Sequence, residues 1–573
     1  MHLVLLLSAL LSLAATPIFG QASSGVLPAR DLRAGMRGTG YTVFQGTTVE
    51  PFQAEILGVL ENAGPKQSII LARLSGGPIE RTGVLQGMSG SPVYVNGKLI
   101  GAVALAFSLA KEPIAGIRPF EEMLTPKAVG ASRRLLAEAA PPPIPWGEAK
   151  LQEIATPMSF SGFTPATIQN FAPQLRALGL EPRQGLPGGG TSTPKPGNAA
   201  SLKPGSMISV QLVSGDMAVG ADGTVTHIDG KKIYAFGHRF LSAGPVEMPF
   251  ASSEVLTLLP NLEVSFKIST ARERLGVITQ DYSTAIQGEL GRTARTIPVS
   301  ISLRGVVGVS DYKMDIVRDA ALTPFLLQMV AFSAIDATER TMGGLSYTVE
   351  QTIQFRNAPS YKASNIYSGE FNTPQMAAQS GAIPVSFVMQ AGFPDLEIQS
   401  ISLNIDAQNR KRQAIVEDAF PLRRSVRPGE TVPVQVILAA EGKRIVHNVD
   451  YKVPVGAQTG TLQFTVTDGP TANLLDLRQQ VGLPARQPAD VSHLLAALRP
   501  NDRAYVRVWR AEAAYSSQGR DLPGPPPSVA GILARSQSGS GIANFTTKLA
   551  ELVLPGENLM VSGSKTFAVE VKE

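Results

Sequence analysis

The chain has 573 residues, 43% of them apolar and 17% charged, with a formal net charge of +5. That length exceeds a single hydrophobic core and predicts several folded domains, while the scattered basic residues, without interleaved aromatics, exclude a nucleic-acid surface. The chain contains no Cys, which excludes disulfides, thiolate metal sites and a Cys nucleophile.

Residues 1–20, MHLVLLLSALLSLAATPIFG, hold an apolar run ending in small and turn-forming residues, with no Lys or Arg before it. The run reads as a secretory signal peptide, too short for a membrane span, and predicts a secreted or periplasmic protein without a transmembrane anchor. The following chain, with 55 Gly and 43 Pro, alternates short apolar runs with turns and predicts a mainly β protein. Residues 26–138 form the first expected β domain. Residues 139–205, with Pro141–Pro143 and the tract QGLPGGGTSTPKPGNAAS, read as a Pro/Gly-rich linker enclosing one short helix, Ala166 to Leu178, kinked at Pro173.

Residues 206–358 are a second β domain with one helix, for which Thr323 is the expected N-cap and Pro324 the first helical residue. Residues 359–470 read as a β-sandwich and 471–573 as a small α+β module. In the former, Arg427-Pro-Gly-Glu is a turn before an alternating strand, and a strand through Leu462, Phe464 and Val466 ends at the turn dipeptide Asp468-Gly469. In the latter, a helix is expected over Asp490 to Leu498 and a strand over Tyr505 to Trp509. No metal-ligand spacing, phosphate loop or fixed repeat occurs there, so this half is read as a scaffold or a binding site for an envelope protein partner.

The chemistry is concentrated in QGMSGSPVYVNGKLIG, Gln86 to Gly101. Gly87 and Gly90 permit a tight turn that exposes Ser89 and turns backbone N–H groups toward a developing oxyanion. Asn96-Gly97 closes a hairpin behind it. On these residues alone the stretch is either a nucleophile loop or a Gly/Ser turn between strands. Of the His residues, His2 lies in the signal, while His447 and His493 read as structural or surface residues. His227 lies on a strand near the turn Asp229-Gly230, and His238, in YAFGHRF, sits at a strand end beside Gly237 and is the best candidate base.

QGMSGSPVYVNGKLIGAVALAF resembles the Ser loop and hairpin of chymotrypsin-like serine proteases. More closely it resembles the SpoIVB-type sporulation serine peptidase family, whose Ser motif is Gly-Met-Ser-Gly-Ser-Pro. GADGTVTHIDGKKIYAFGHRF resembles that family's strand pair leading to its catalytic His. The resemblance spans about 30–125 and 205–300. It implies a chymotrypsin-like double β-barrel, here followed by C-terminal β-sandwich (Ig-like) modules, a protein or peptide substrate and no cofactor. By position it assigns Ser89 as nucleophile, His238 as general base, and the amides of Gly87 and Ser89 as the oxyanion hole.

Three features depart from the family. Ser89 precedes His238, as in a circular permutation. The family's acid position is occupied by Leu74, leaving Glu80, Asp216, Asp229 and Asp281 as candidates for the third triad member. No peptide-binding PDZ module precedes the His segment. The readings carried forward are a serine endopeptidase, a weak or inactive protease-fold scaffold, and a Ser esterase.

Overall fold

The structure is a computed structural model. It describes residues 25–573 apart from 65–66, 108, 125–142, 147–148, 186–194, 306–307, 339–344, 481–486, 513, 518–519, 524, 527, 530, 533–541 and 545. The expected signal peptide, Pro141, Pro142 and half of the Gly-rich tract (186–194) lie outside the described residues.

The first domain contains β1 (Arg37–Val43), β2 (Val49–Gly64), β3 (Gln67–Ser75), α1 (Ile79–Thr82), β4 (Pro92–Val95), β5 (Lys98–Phe107), β6 (Ile114–Pro119) and α2 (Phe120–Leu124). The strands run in the order β4-β1-β2-β3-β6-β5, and β4 pairs back onto β5, closing a six-stranded ring. Alternate residues turn inward, and Phe52, Ile56, Ile70, Leu74, Val93 and Ile117 fill its core. The β4–β5 hairpin turns at Asn96 (φ 51°) and Gly97 (φ 74°), the two positive values that a type I′ turn requires.

The expected linker is largely folded. β7 (Ile144–Trp146) and β8 (Ala149–Glu153) extend the first sheet from β5, whereas β9 (Thr156–Ser161), α3 (Pro165–Ala177) and β10 (Leu180–Gln184) belong to the second. Phe160, Phe171 and Leu175 are buried in the second core. Only one face of α3 is apolar, which is why composition reads this stretch as solvated. Thr164 caps α3 by accepting from Thr167 N, and Pro173 lies inside it.

β11 (Met207–Gly215), β12 (Ala218–Asp229), β13 (Lys232–Ala235), β14 (Gly244–Leu259), β15 (Phe266–Asp281) and β16 (Ile286–Leu290) close a second six-stranded ring, β12-β13-β16-β15-β14-β11. Beyond β11 the sheet continues with elements from β17 (Thr296–Arg304), β18 (Val309–Val317), α4 (Leu322–Thr338), β19 (Leu345–Phe355), β20 (Tyr361–Gly369), α5 (Thr373–Ala391) and β21 (Ile398–Gln408). The strand order there is β18-β17-β21-β19-β20. α4 starts slightly before its expected N-cap because Asp319 Oδ1 accepts from the amides of Ala321 and Leu322. Thr323 Oγ1 instead donates to Val317 O. Residues 359–408, expected in a sandwich, therefore belong to the barrel's sheet. α5 hides its helical character behind Gly381 and Pro384, yet Gly381 lets the helix approach Leu403 closely.

One sandwich follows. It contains β22 (Gln413–Pro421), β23 (Ser425–Val426), β24 (Thr431–Ala440), β25 (Lys443–Lys452), β26 (Gly460–Asp468), α6 (Gly469–Gln480), α7 (Pro488–Ala497) and β27 (Ala504–Arg510). After the small sheet of β28 (Ala514–Ser517), β29 (Arg520–Pro523) and β30 (Ile542–Asn544) come β31 (Thr547–Val553), β32 (Met560–Ser562) and β33 (Ser564–Val571). Sheets β25-β24-β22-β32 and β23-β33-β26-β27-β31 share one core. An expected boundary at 470 would cut between β26 and its partners β27 and β33. Asp468-Gly469 is a strand-to-helix junction rather than a turn, since Asp468 accepts from Thr471 N and Gly563 N. The architecture is mainly β, a double barrel plus a sandwich.

Candidate active site

The Ser loop, Leu85 to Ser91, leaves the first barrel and docks on the second. Gly87 (φ 92°) and Gly90 (φ 94°) are left-handed. A Cβ on Gly90 would stand 2.0 Å from Thr224 O and 2.5 Å from Phe236 N, so only glycine allows the two barrels to meet there. The loop's carbonyls are all held. Gln86 O accepts from Lys267 N and Ser89 O from Thr224 N, at 3.2 and 2.8 Å. Gly87 O accepts from Thr224 Oγ1 (2.9 Å) and Gly90 O from Thr226 Oγ1 (2.7 Å). Met88 O accepts from Ser91 N.

The loop's amides divide differently. Gln86 N donates to Ser265 O, Met88 N to Leu85 O, Gly90 N to Val103 O and Ser91 N to Met88 O. Among the described residues, the amides of Gly87 and Ser89 have no acceptor. Two unengaged N–H groups flanking a serine can stabilise an oxyanion. Ser89 Oγ is also buried without a hydrogen-bond partner.

His238 follows β13 through two left-handed residues, Phe236 (φ 71°) and Gly237 (φ 70°). Phe236 N donates to Thr224 O, the residue that also holds Ser89. Gly237 lies against β5, where a Cβ would be 3.0 Å from Ala102 Cβ and 3.3 Å from Val103 O. The Ser loop and the His238 turn are thus both bonded to Thr224, and both lie beside Val103. His238 Nδ1 is 2.6 Å from Arg239 O. A carbonyl only accepts, so Nδ1 carries the proton and Nε2 the lone pair, the tautomer of a general base. Nε2 is buried and makes no hydrogen bond, to Ser89 or to any other group. Burial, aided by Arg118 and Arg239, lowers the imidazole pKa from 6.5 to about 4, against the raising effect of the Arg239 carbonyl.

None of the four candidate acids bonds to His238. Glu80 and Asp229 are exposed, and Asp216 is exposed and accepts from Lys313 N. Asp281 is buried beside the His238 turn, but its carboxylate accepts from the amides of Phe240, Leu241 and Ala243 at 2.9, 2.7 and 3.1 Å. It fixes the turn; burial raises its pKa to about 6 against those three bonds. His227 packs edge-on to Phe120, His447 faces Glu557, and His493 is exposed on α7.

Sequence reasoning missed Lys267, Asp222 and the threonines that hold the loop. Lys267 is buried, lies along Gly87 and donates to Thr42 Oγ1 at 2.8 Å. Desolvation lowers its pKa to about 7. Asp222, although followed by Gly223, is in mid-strand and accepts from Ser159, Ser253 and Ser269. The unfolded amine titrates at 10.5 and the folded one near 7, so the unfolded chain holds the extra proton between those values. Stability of the parent relative to Lys267→Met therefore rises with pH across that window, by on the order of 2–4 kcal/mol. Urea unfolding at pH 7 and pH 10 measures it.

Residues 24–124 match the family model described as SpoIVB peptidase S55. The Ser-bearing barrel is thus similar to the SpoIVB peptidase S55 family over that span. The matched span contains β1 to β6 and the Ser loop and stops before His238. No curated protein and no solved structure matches the chain. The S55 family is one of serine peptidases, which act on protein substrates. Among the described residues, no helix is long and apolar enough to cross a membrane.

Proposed function

We propose that the chain is a serine endopeptidase, secreted or periplasmic in keeping with its leading apolar run, with Ser89 as nucleophile and His238 as general base. The observation that carries this reading is the pair of unengaged amides, Gly87 N and Ser89 N, around an unpartnered Ser89 Oγ. Ser89 Oγ attacks the scissile carbonyl carbon while its proton passes to His238 Nε2. The carbonyl oxygen becomes an oxyanion facing the two amides. His238 then gives the proton to the leaving nitrogen, the C–N bond breaks, and an acyl-Ser89 ester remains. Water, deprotonated by His238, then attacks the acyl carbon; the bond to Ser89 Oγ breaks, Oγ takes the proton back from His238, and the second product leaves as a carboxylic acid.

The orienting acid of a usual triad is replaced by the Arg239 carbonyl, which holds the tautomer but carries no charge to stabilise an imidazolium. That favours a slow enzyme. It also supports a second reading, a protease-fold scaffold that binds an envelope partner through its sandwich. Digestion of an unstructured protein such as β-casein by purified chain, with products identified by mass spectrometry, separates the two. Cleavage that depends on His238 supports the peptidase; intact casein with folded protein rejects it. The imidazole loses its lone pair only below its folded pKa of about 4. The acid limb of kcat/KM is therefore expected near pH 4, displaced downward from the ordinary histidine value of about 6.5.

A further inference from the structure

β4 covers only part of one edge of β5. It pairs from Val95↔Lys98 to Pro92↔Ala102. The Ser loop takes the next position, with Gly90 N donating to Val103 O and Val103 N to Ser91 O. From Ala104 onward the edge is occupied by β8, through Leu105↔Glu153, Ala106↔Gln152 and Phe107↔Leu151. Ile154 N donates to Ala104 O at 2.9 Å. Adjacent carbonyls of one strand are therefore held by the nucleophile loop and by β8.

β8 is short, and its side chains divide cleanly. Leu151 and, just after the strand, Ile154 are buried, Gln152 is exposed, and Glu153 Oε2 lies 3.5 Å from Nε of Arg239, the residue after His238. Ser89 is 0% and His238 2% exposed, so a peptide carbonyl reaches them only in the fraction of molecules in which the surrounding chain opens. An antiparallel strand is held mainly by main-chain bonds that any extended peptide reproduces one for one, with selectivity left to alternate side chains.

We propose that the edge of β5 from Ala104 to Phe107 is a strand-binding site for an extended peptide carrying an acidic residue between aliphatic ones, and that β8 is its resident occupant, keeping Ser89 and His238 closed until displaced. The closure of a catalytic site rests on the peptidase reading above; the strand site does not. Because β8 is tethered, it competes at an effective concentration on the order of millimolar, so a free peptide of micromolar affinity is expected to gain little access to the parent chain.

The test uses the full chain and two variants, Glu153→Arg, which sets a third cation beside Arg118 and Arg239, and Leu151→Ala, which trims the buried anchor. Folding is checked by circular dichroism and thermal unfolding. A fluorescent peptide KLQEIAT is followed by anisotropy, and fluorophosphonate labelling of Ser89 is timed separately. The expected result is at least tenfold tighter peptide binding to the folded variants than to the parent, lost when the peptide's Glu is changed to Arg. Labelling is expected to be at least tenfold faster in the variants and slowed again by excess peptide. Absence of peptide binding in both variants, or in whichever one folds, overturns the proposal even if labelling is normal. If neither variant folds, β8 is part of the fold rather than a displaceable occupant, which also overturns it. Binding without any labelling keeps the strand site and rejects the peptidase.

Discussion

Ser89→Ala is expected to lower peptide hydrolysis by roughly 10⁴–10⁶-fold while leaving the thermal midpoint within about two degrees of the parent. Ser89 Oγ is fully buried and bonded to nothing, so its removal forfeits no hydrogen bond and leaves no new unsatisfied group. The loop is held through the backbone of Ser89 and the side chains of Thr224 and Thr226, which the substitution leaves in place. His238→Ala should cost a similar factor in rate, but with some stability, because a buried ring is replaced by a cavity. The double variant should be no slower than either single one, since nucleophile and base act as a unit. Steady-state hydrolysis and calorimetry check both halves. Hydrolysis that survives Ser89→Ala contradicts the assignment.

Gly90→Ala is expected to cost on the order of 3–5 kcal/mol in urea unfolding and to abolish activity with it. Its Cβ would fall 2.0 Å from Thr224 O and 2.5 Å from Phe236 N, at a φ of 94° that disfavours any L side chain. Those two backbone atoms are bonded to each other, so neither withdraws without breaking the pair that positions the His238 turn. Relief requires the Ser loop to lift, which also breaks the bond from Thr224 N to Ser89 O. Gly46→Ala is the control: its φ is 61°, but nothing lies within 4 Å of the added carbon. Only the conformational penalty of about 1–2 kcal/mol should appear there. Equal losses at the two glycines would show that Gly90 is not a contact between barrels.

The parts of the site that were legible in the sequence are those whose geometry is local. Gly87, Gly90 and Asn96-Gly97 announce backbone conformations that few other residues adopt, and these placed the Ser loop and its hairpin correctly. The position of His238, after a strand and a glycine, was legible for the same reason. The support was not legible, because it is built from distant contacts. Asp281 meets the His238 turn from some 40 residues away and uses its carboxylate on three amides, which no spacing rule anticipates. Lys267 meets Thr42 across 225 residues. The same holds for the fold. Residues 149–184 read as linker because the Pro run and the Gly-rich tract flank them, yet their apolar residues, among them Leu151, Phe160 and Phe171, are buried. α5 was missed because Gly381 and Pro384 read as helix breakers, and the sandwich was divided at 470 because α6 and α7 interrupt strands that pair only in three dimensions.

The most direct measurement is the site of covalent modification by a fluorophosphonate, read by tandem mass spectrometry on the full chain and on His238→Ala. The expected result is a single adduct on Ser89 Oγ, its formation slowed at least a hundredfold when His238 is replaced. No adduct on Ser89 in folded protein, or an equal rate without His238, would contradict an active nucleophile and its base at this junction of the two barrels.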